Sequence, residues 1–227
     1  MSIAANIEKI KQQLSQNIKL IAVSKTKPVE TLMEAYNSGQ KIFGENKVQE
    51  LVSKFEQMPK DIEWHMIGHL QSNKVKFIAP FASLIHSVDS LKLLQEINKQ
   101  ALKNSRIQNV LLQVFIADEK TKFGLSEEEC FSLFENKETA KLKNIRIEGL
   151  MGMATNSDDE KKVRKEFKGL KKMFDTIAKK YASDNIEMKT LSMGMSSDYK
   201  IAVEEGSNMV RLGSVIFGDR RIPIVCI

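Results

Sequence analysis

The sequence predicts a single (β/α)8 TIM-type barrel with an extra N-terminal helix, and three patterns lead there. Eight short apolar runs recur along the chain, at residues 19–24, 40–43, 63–67, 84–88, 110–116, 145–151, 190–193 and 209–217. Several are apolar throughout, as strands of a parallel sheet covered on both faces must be. Amphipathic helical stripes separate most of them, and strand–helix alternation repeated eight times favours a closed barrel over a flat doubly wound sheet. No Pro/Gly/Ser-rich linker or low-complexity tract interrupts residues 1–227, so the chain reads as one domain.

Taken in order, residues 3–14 carry Ile3, Ile7, Ile10 and Leu14 at helical spacing ahead of the first strand. Pro28 at a first-turn position and Gly39 as a terminator bracket a helix with Val29, Leu32, Met33 and Tyr36 on one face. Val48, Leu51, Val52 and Phe55 make the next stripe, and Leu91, Leu94, Ile97 and Ala101 another. The clearest helix starts at Ser157-Asp158-Asp159-Glu160, which reads as a capping box of serine and glutamate. It continues through Val163, Phe167, Leu170, Phe174, Ile177 and Tyr181. Its opposite face, with Lys161, Lys162, Lys165, Lys168, Lys172 and Lys179, reads as a solvated outer surface and not as a membrane-binding one. Residues 219–227 are too few for an outer helix after the eighth strand, so helix 3–14 is expected to fill that place.

Composition removes several function classes. The 227 residues are 42% hydrophobic and 28% charged, which is ordinary for a globular protein. The net charge of +6 comes from lysines spread among 29 acidic residues, aromatics are 7%, and no RRM, KH or zinc-finger pattern occurs, so no nucleic-acid partner is expected. The N-terminus lacks a signal-peptide layout, and no apolar run approaches the roughly 20 residues that span a bilayer. Cys130 and Cys226 show no CxxC spacing and suggest no disulfide framework, so the cytoplasm is the expected location. His65 and His69 sit four apart in a predicted strand, where they would be about 13 Å apart, so no metal site is expected.

In barrels, reactive groups sit where strands end. Lys25 closes the first run, and a partly desolvated lysine there can act as an amine nucleophile. Lys27 is two residues on, and strand alternation alone does not choose between them. Ser192, Gly194, Ser196 and Ser197 precede a short helical pattern at residues 197–205, ended by Gly206. Such a loop offers amides and hydroxyls suited to phosphate, and Gly213-Ser214 on the next run adds another hydroxyl. Arg211, between Val210 and Leu212, needs a partner or a cavity.

These motifs together resemble the YggS/PROSC-like pyridoxal phosphate homeostasis family, almost end to end. The blocks are Ala22-Val23-Ser24-Lys25-Thr26-Lys27-Pro28, Phe43-Gly44-Glu45-Asn46-Lys47-Val48-Gln49-Glu50, Trp64-His65-Met66-Ile67-Gly68-His69-Leu70-Gln71-Ser72-Asn73-Lys74, Glu119-Lys120-Thr121-Lys122-Phe123-Gly124, Gly149-Leu150-Met151, Leu191-Ser192-Met193-Gly194-Met195-Ser196 with Asp198, and Val210-Arg211-Leu212-Gly213-Ser214 with Ile216-Phe217-Gly218. The resemblance implies a barrel like that of alanine racemase and pyridoxal 5'-phosphate as cofactor, joined to Lys25 as a Schiff base. It places Arg211 at the pyridine nitrogen, Ser196, Gly213 and Ser214 at the phosphate, and Asn46 and His65 along the pocket. Ser192 and Met195 of the same loop complete the expected cofactor-binding set. The chain departs from the family where Ser214 stands for a frequent threonine, where Asn208 replaces a common threonine, and where the tail Arg220-Arg221-Ile222-Pro223 lacks a frequent tyrosine. The implied role is intracellular cofactor homeostasis by a monomer, buffering the cofactor or delivering it to pyridoxal-phosphate-dependent apoenzymes, with no dedicated reaction. The competing readings are a racemase-like enzyme and an aldolase using Lys25 on a sugar phosphate without a cofactor.

Overall fold

Eight parallel strands close on themselves in chain order: β1 (Lys19–Val23), β2 (Ile42–Glu45), β3 (Glu63–Met66), β4 (Leu84–Val88), β5 (Gln108–Phe115), β6 (Ile145–Met153), β7 (Ile186–Ser192) and β8 (Met209–Leu212), with β8 hydrogen-bonded back to β1. The computed structural model describes residues 2–117 and 123–218. Around the barrel run α1 (Ile3–Gln13), α2 (Val29–Asn37), α3 (Val48–Gln57), a 3-10 turn at Ser72–Lys74 leading into α4 (Val75–Ile78), α5 (Leu91–Lys103), α6 (Glu127–Glu135), α7 (Lys137–Ala140), α8 (Glu160–Lys180), α9 (Tyr199–Glu204) and α10 (Ser214–Phe217). The predicted (β/α)8 barrel is the observed fold.

The core has two parts, as strand alternation requires. Ile21, Leu84, Leu111, Met151 and Met209 form an apolar cluster within the barrel, each from a different strand. A larger cluster, including Phe43, Trp64, Phe167 and Leu170, fills the space between sheet and helices. The helix α1 occupies the gap left after β8: Ile7 and Ile10 are buried, α1 packs on α2 and α10, and Asn6 Nδ2 donates to the Ile216 carbonyl at 3.0 Å.

Several sequence boundaries need correction. The run 209–217 is a strand only to Leu212. Gly213 breaks the ladder, and Ser214–Phe217 turns into α10. The strand expected at 40–43 lies at Ile42–Glu45, because the Gln40 amide still donates to the Ala35 carbonyl at the end of α2, at 3.1 Å. The strand expected at 190–193 runs from Ile186 to Ser192: Ile186 and Met188 alternate with exposed Glu187 and Lys189, a half-buried strand pattern, and only 190–192 are continuously buried. The capping box at Ser157 and Glu160 does not form. Asp159 caps α8 by accepting from Lys161 and Lys162 amides, while Ser157 Oγ accepts from the Asp159 amide. A capping box does form at Ser126 and Glu129, opening α6. The tail at 219–227, with Cys226, and the block residues 119–122 lie outside the described residues. Among the described residues, no helix is long and apolar enough to cross a membrane.

The β6–β7 contact depends on a missing side chain. A Cβ on Gly149 would lie 1.7 Å from the Thr190 carbonyl oxygen, where the strand register shifts. Backbone cannot yield as a flexible side chain can. Gly149→Ala is therefore expected to destabilise the barrel by at least ~2 kcal/mol, measured by urea unfolding. Stability within a few tenths of a kcal/mol of wild type would contradict this close approach.

Candidate functional site

A cavity of about 710 Å3 opens at the carboxyl ends of the strands, lined by Lys25, Asn46, Met195, Ser196, Arg211, Gly213 and Ser214 among others. Seven of the nine sequence-predicted residues thus meet at one place. His65 and Ser192 do not line it and lie buried beneath its floor.

Lys25 reaches the wall from a turn that follows β1. The Lys27 amide donates to the Ser24 carbonyl at 3.1 Å, and Thr26, third of the four residues, has φ +64°. A positive φ at the third position alone marks a type II turn, which normally takes glycine there. A β-branched residue in that region costs about 1–3 kcal/mol and must be held by its surroundings. Lys25 thus stands at a corner. Lys27 also lines the cavity, but its Nζ donates to the Phe217 and Gly218 carbonyls at 3.0 and 3.2 Å, tying the turn to the end of α10.

The opposite wall is the loop after β7. Gly194, at φ +97°, lets the chain reverse against α9, where a Cβ would meet Ala202 Cβ at 2.7 Å. Asp198 accepts the Met195 amide at 2.6 Å, and Arg211 N–H donates to the Gly194 carbonyl at 3.0 Å, so loop and β8 move as one piece. Ser196 Oγ accepts from the Gly213 amide at 3.3 Å, which leaves its own proton free to donate into the cavity.

The floor holds a buried polar chain across β3, β4, β7, β8 and β6. Arg211 Nη1 donates to Ser192 Oγ at 2.7 Å, and Nη2 donates to the Gly152 carbonyl at 3.0 Å. Ser192 Oγ lies 3.2 Å from His86 Nδ1, and His86 Nε2 lies 3.1 Å from His65 Nδ1. The guanidinium is donor only, so Ser192 Oγ accepts from it; when the hydroxyl proton lies on His86 Nδ1, the His86 proton stands on Nε2, facing His65. Burial, then the Lys19 charge, drive His65 down to about 3; burial, then His65 and Arg211, hold His86 well below its usual value. Both rings are neutral at physiological pH. Burial lowers Arg211 to about 10, with Asp198 opposing, so it remains protonated.

His86 escapes the sequence reading because it sits, with Ser87, inside the apolar run 84–88. Period-2 alternation with Leu84 would have placed it inside the barrel. His69 and Asp89 also reach the cavity wall; His69 Nδ1 lies 3.7 Å from Asp89 Oδ2, outside hydrogen-bond range.

Comparison with known proteins settles the family. The family model described as alanine racemase, N-terminal domain, matches residues 1–221. Relatives named pyridoxal phosphate homeostasis protein are 42% identical in Aquifex aeolicus, over 89% of this chain and 87% of the relative, and 40% identical in Vibrio alginolyticus, over 96% and 98%. The chain belongs to the pyridoxal phosphate homeostasis family. Among solved structures, PipY of Synechococcus elongatus PCC7942 with pyridoxal phosphate bound superposes with a TM-score of 0.86 at 31% identity, over 96% of this chain and all of that one. An alanine racemase of Clostridium difficile 630 shares the fold at a TM-score of 0.78 and 18% identity; this chain spans 57% of its length.

The neutral floor has a measurable signature. His65 is near 3 when folded and near 6.5 when unfolded, so the unfolded chain takes up the proton first as pH falls. Its contribution to stability is complete above about pH 6.5 and is lost progressively as pH falls towards 3. Unfolding free energy followed in urea between pH 6.5 and 4.5 should therefore fall less steeply in His65→Gln, by about 1.4 kcal/mol per pH unit. Equal slopes in the two proteins would mean that His65 is charged in the folded chain.

Proposed function

We propose that this protein binds pyridoxal 5'-phosphate as a Schiff base on Lys25 and serves intracellular homeostasis of that cofactor, buffering or delivering it to pyridoxal-phosphate-dependent apoenzymes. The observation that carries the reading is the meeting, in one cavity, of a lysine held on a turn, a Ser/Gly wall and a protonated arginine with donors to spare. The residues fit the group. Arg211 has five N–H donors, and its bonds to Ser192 and Gly152 occupy two of them. Ser196 has an available hydroxyl proton, and Ser214 is exposed at the first turn of α10.

The cofactor supplies an aldehyde, which joins a primary amine with loss of water, and a ring able to withdraw electrons. The chain's residues then divide the task. Lys25 provides the amine. Ser196, Gly213 and Ser214 form the phosphate wall, with Met195 beside it, and Asn46 lines the wall next to Lys25. Arg211 would donate to the pyridine nitrogen, and His65 and Ser192 act from below by fixing the arginine and its hydrogen-bond chain. A guanidinium at that nitrogen disfavours its protonation and leaves the ring a weak electron sink.

That weakness favours a carrier over a racemase, which needs an acid/base group on each face of the substrate α-carbon. The tyrosines point elsewhere: Tyr199 Oη donates to Gln13, Tyr36 to Asp61 and Tyr181 to Glu135, each within 2.8 Å. The cytoplasm is the proposed location, supported by the two-cysteine composition with Cys130 a buried free thiol. The proposed state is a monomer.

The purified protein should be yellow, with a Schiff-base absorption band that disappears in Lys25→Ala. The band should persist in Lys27→Arg, which keeps the cation on α10 but cannot form the Schiff base. Colourless protein that takes up no pyridoxal phosphate would remove the cofactor reading and favour the aldolase. Turnover of D- or L-amino acids at enzymatic rates, about 1 per second or faster, would favour the racemase.

A further inference from the structure

Beneath the turn that carries Lys25 lies a buried charged cluster outside the cavity wall. Lys54 occupies a core position of α3 alongside Val48 and Leu51, and is only 6% exposed. Its Nζ donates to Glu45 Oε1 at 2.6 Å and to the Ser24 carbonyl at 2.9 Å. Ser24 Oγ donates to the same glutamate oxygen at 2.6 Å. One turn earlier on α3, Glu50 accepts the Thr26 amide at 3.3 Å and lies 3.9 Å from Lys54 Nζ.

Such a cluster is a poor way to gain stability. A buried ion pair is often matched or bettered by well-packed apolar residues, because desolvation offsets the attraction. Here the cost is visible. Glu45 Oε2 is buried and receives no N–H or hydroxyl donor among the described residues, facing only the Glu50 carboxyl. Burial pushes Glu45 up to about 7, against the pull of Lys54 and Ser24 and with Glu50 adding to the rise. Glu50 itself sits below its ordinary value: burial raises it, but Glu45, the Thr26 amide, Lys54 and Lys47 outweigh that.

The cluster's backbone bonds end on the residues immediately before and after Lys25. Ser24 is fixed through its carbonyl and hydroxyl, and Thr26 through its amide. Thr26 is also the residue held at φ +64°, where a threonine needs support. We propose that Glu45, Lys54 and Glu50 are positioning residues for Lys25, clamping both sides of a strained turn so that its amine faces the cavity. This deepens the preceding proposal and rests on Lys25 being the cofactor lysine.

The test is pyridoxal phosphate titration of the apo chain, followed by Schiff-base absorbance. Borohydride trapping with peptide mapping identifies the labelled lysine, and melting temperatures are recorded in parallel. Glu50 is part exposed, so Glu50→Ala should fold normally and yet weaken or slow loading at Lys25 about tenfold. Glycine adopts positive φ without strain, so Thr26→Gly in the Glu50→Ala background should restore loading to near wild type. Lys54→Met should lose loading and melting temperature together, and Thr26→Gly should recover the loading without recovering the melting temperature. A merely structural role would tie loading to melting temperature in every variant, and that result overturns the proposal. So does wild-type loading in both Glu50→Ala and Lys54→Met. Wild-type protein that is not trapped on Lys25 overturns the cofactor assignment itself, whereas wild type trapped on Lys25 with indifferent variants overturns the clamp alone.

Discussion

A fully buried guanidinium inside the barrel is the constraint from which the rest of the site follows. Arg211 sits one inward-facing position above Met209 of the interior apolar cluster and is 5% exposed. A charge there must be hydrogen-bonded or it would unfold the barrel top. The fold answers with neutral acceptors, Ser192 Oγ and the Gly152 carbonyl, and with Asp198 acting at longer range. No carboxylate touches it among the described residues. Ser192 Oγ links the arginine to His86 and His86 to His65, so four strands contribute to one chain of polar contacts, with both rings kept neutral by burial.

The two walls complement that floor in different ways. The loop after β7 is rigid through backbone geometry: Gly194 permits the reversal, and Asp198 and β8 hold it. The Lys25 turn has no glycine at its strained position and depends on side chains of β2 and α3. On the proposed reading, phosphate recognition is built into the chain path, while presentation of the amine is built into a charged cluster. A cofactor carrier benefits from this division, since it must hold an aldehyde securely without activating the ring for carbanion chemistry.

Much of this was legible in the sequence, for identifiable reasons. The strands showed because apolar runs between amphipathic stripes have only one efficient closed arrangement, and Lys25, Ser196 and Arg211 fall at ends that the fold gathers together. What escaped depended on three-dimensional contact. Both Lys25 and Lys27 line the cavity, and what sets Lys27 apart, its bonds to the carbonyls of Phe217 and Gly218, comes from the far end of the chain. Lys54 reads as a polar break in the α3 stripe, yet it is buried because Glu45 and Ser24 lie opposite. Asp159 displaced Ser157 as the cap of α8, since adjacent capping residues compete and sequence spacing does not rank them. Residues 214–217 read as strand because Val215 and Ile216 are β-formers, but a strand there would continue past the barrel rim with no neighbour to pair with.

The most direct measurement is the 15N chemical shift of the pyridine nitrogen in protein loaded with ring-15N-labelled pyridoxal phosphate, recorded across neutral pH. Because Arg211 stays protonated and offers only donors, the predicted result is the shift of an unprotonated nitrogen, unchanged through the neutral range and moving in Arg211→Glu. A pyridinium shift in the wild-type protein would contradict the central claim that this buried arginine sets the polarity of the site.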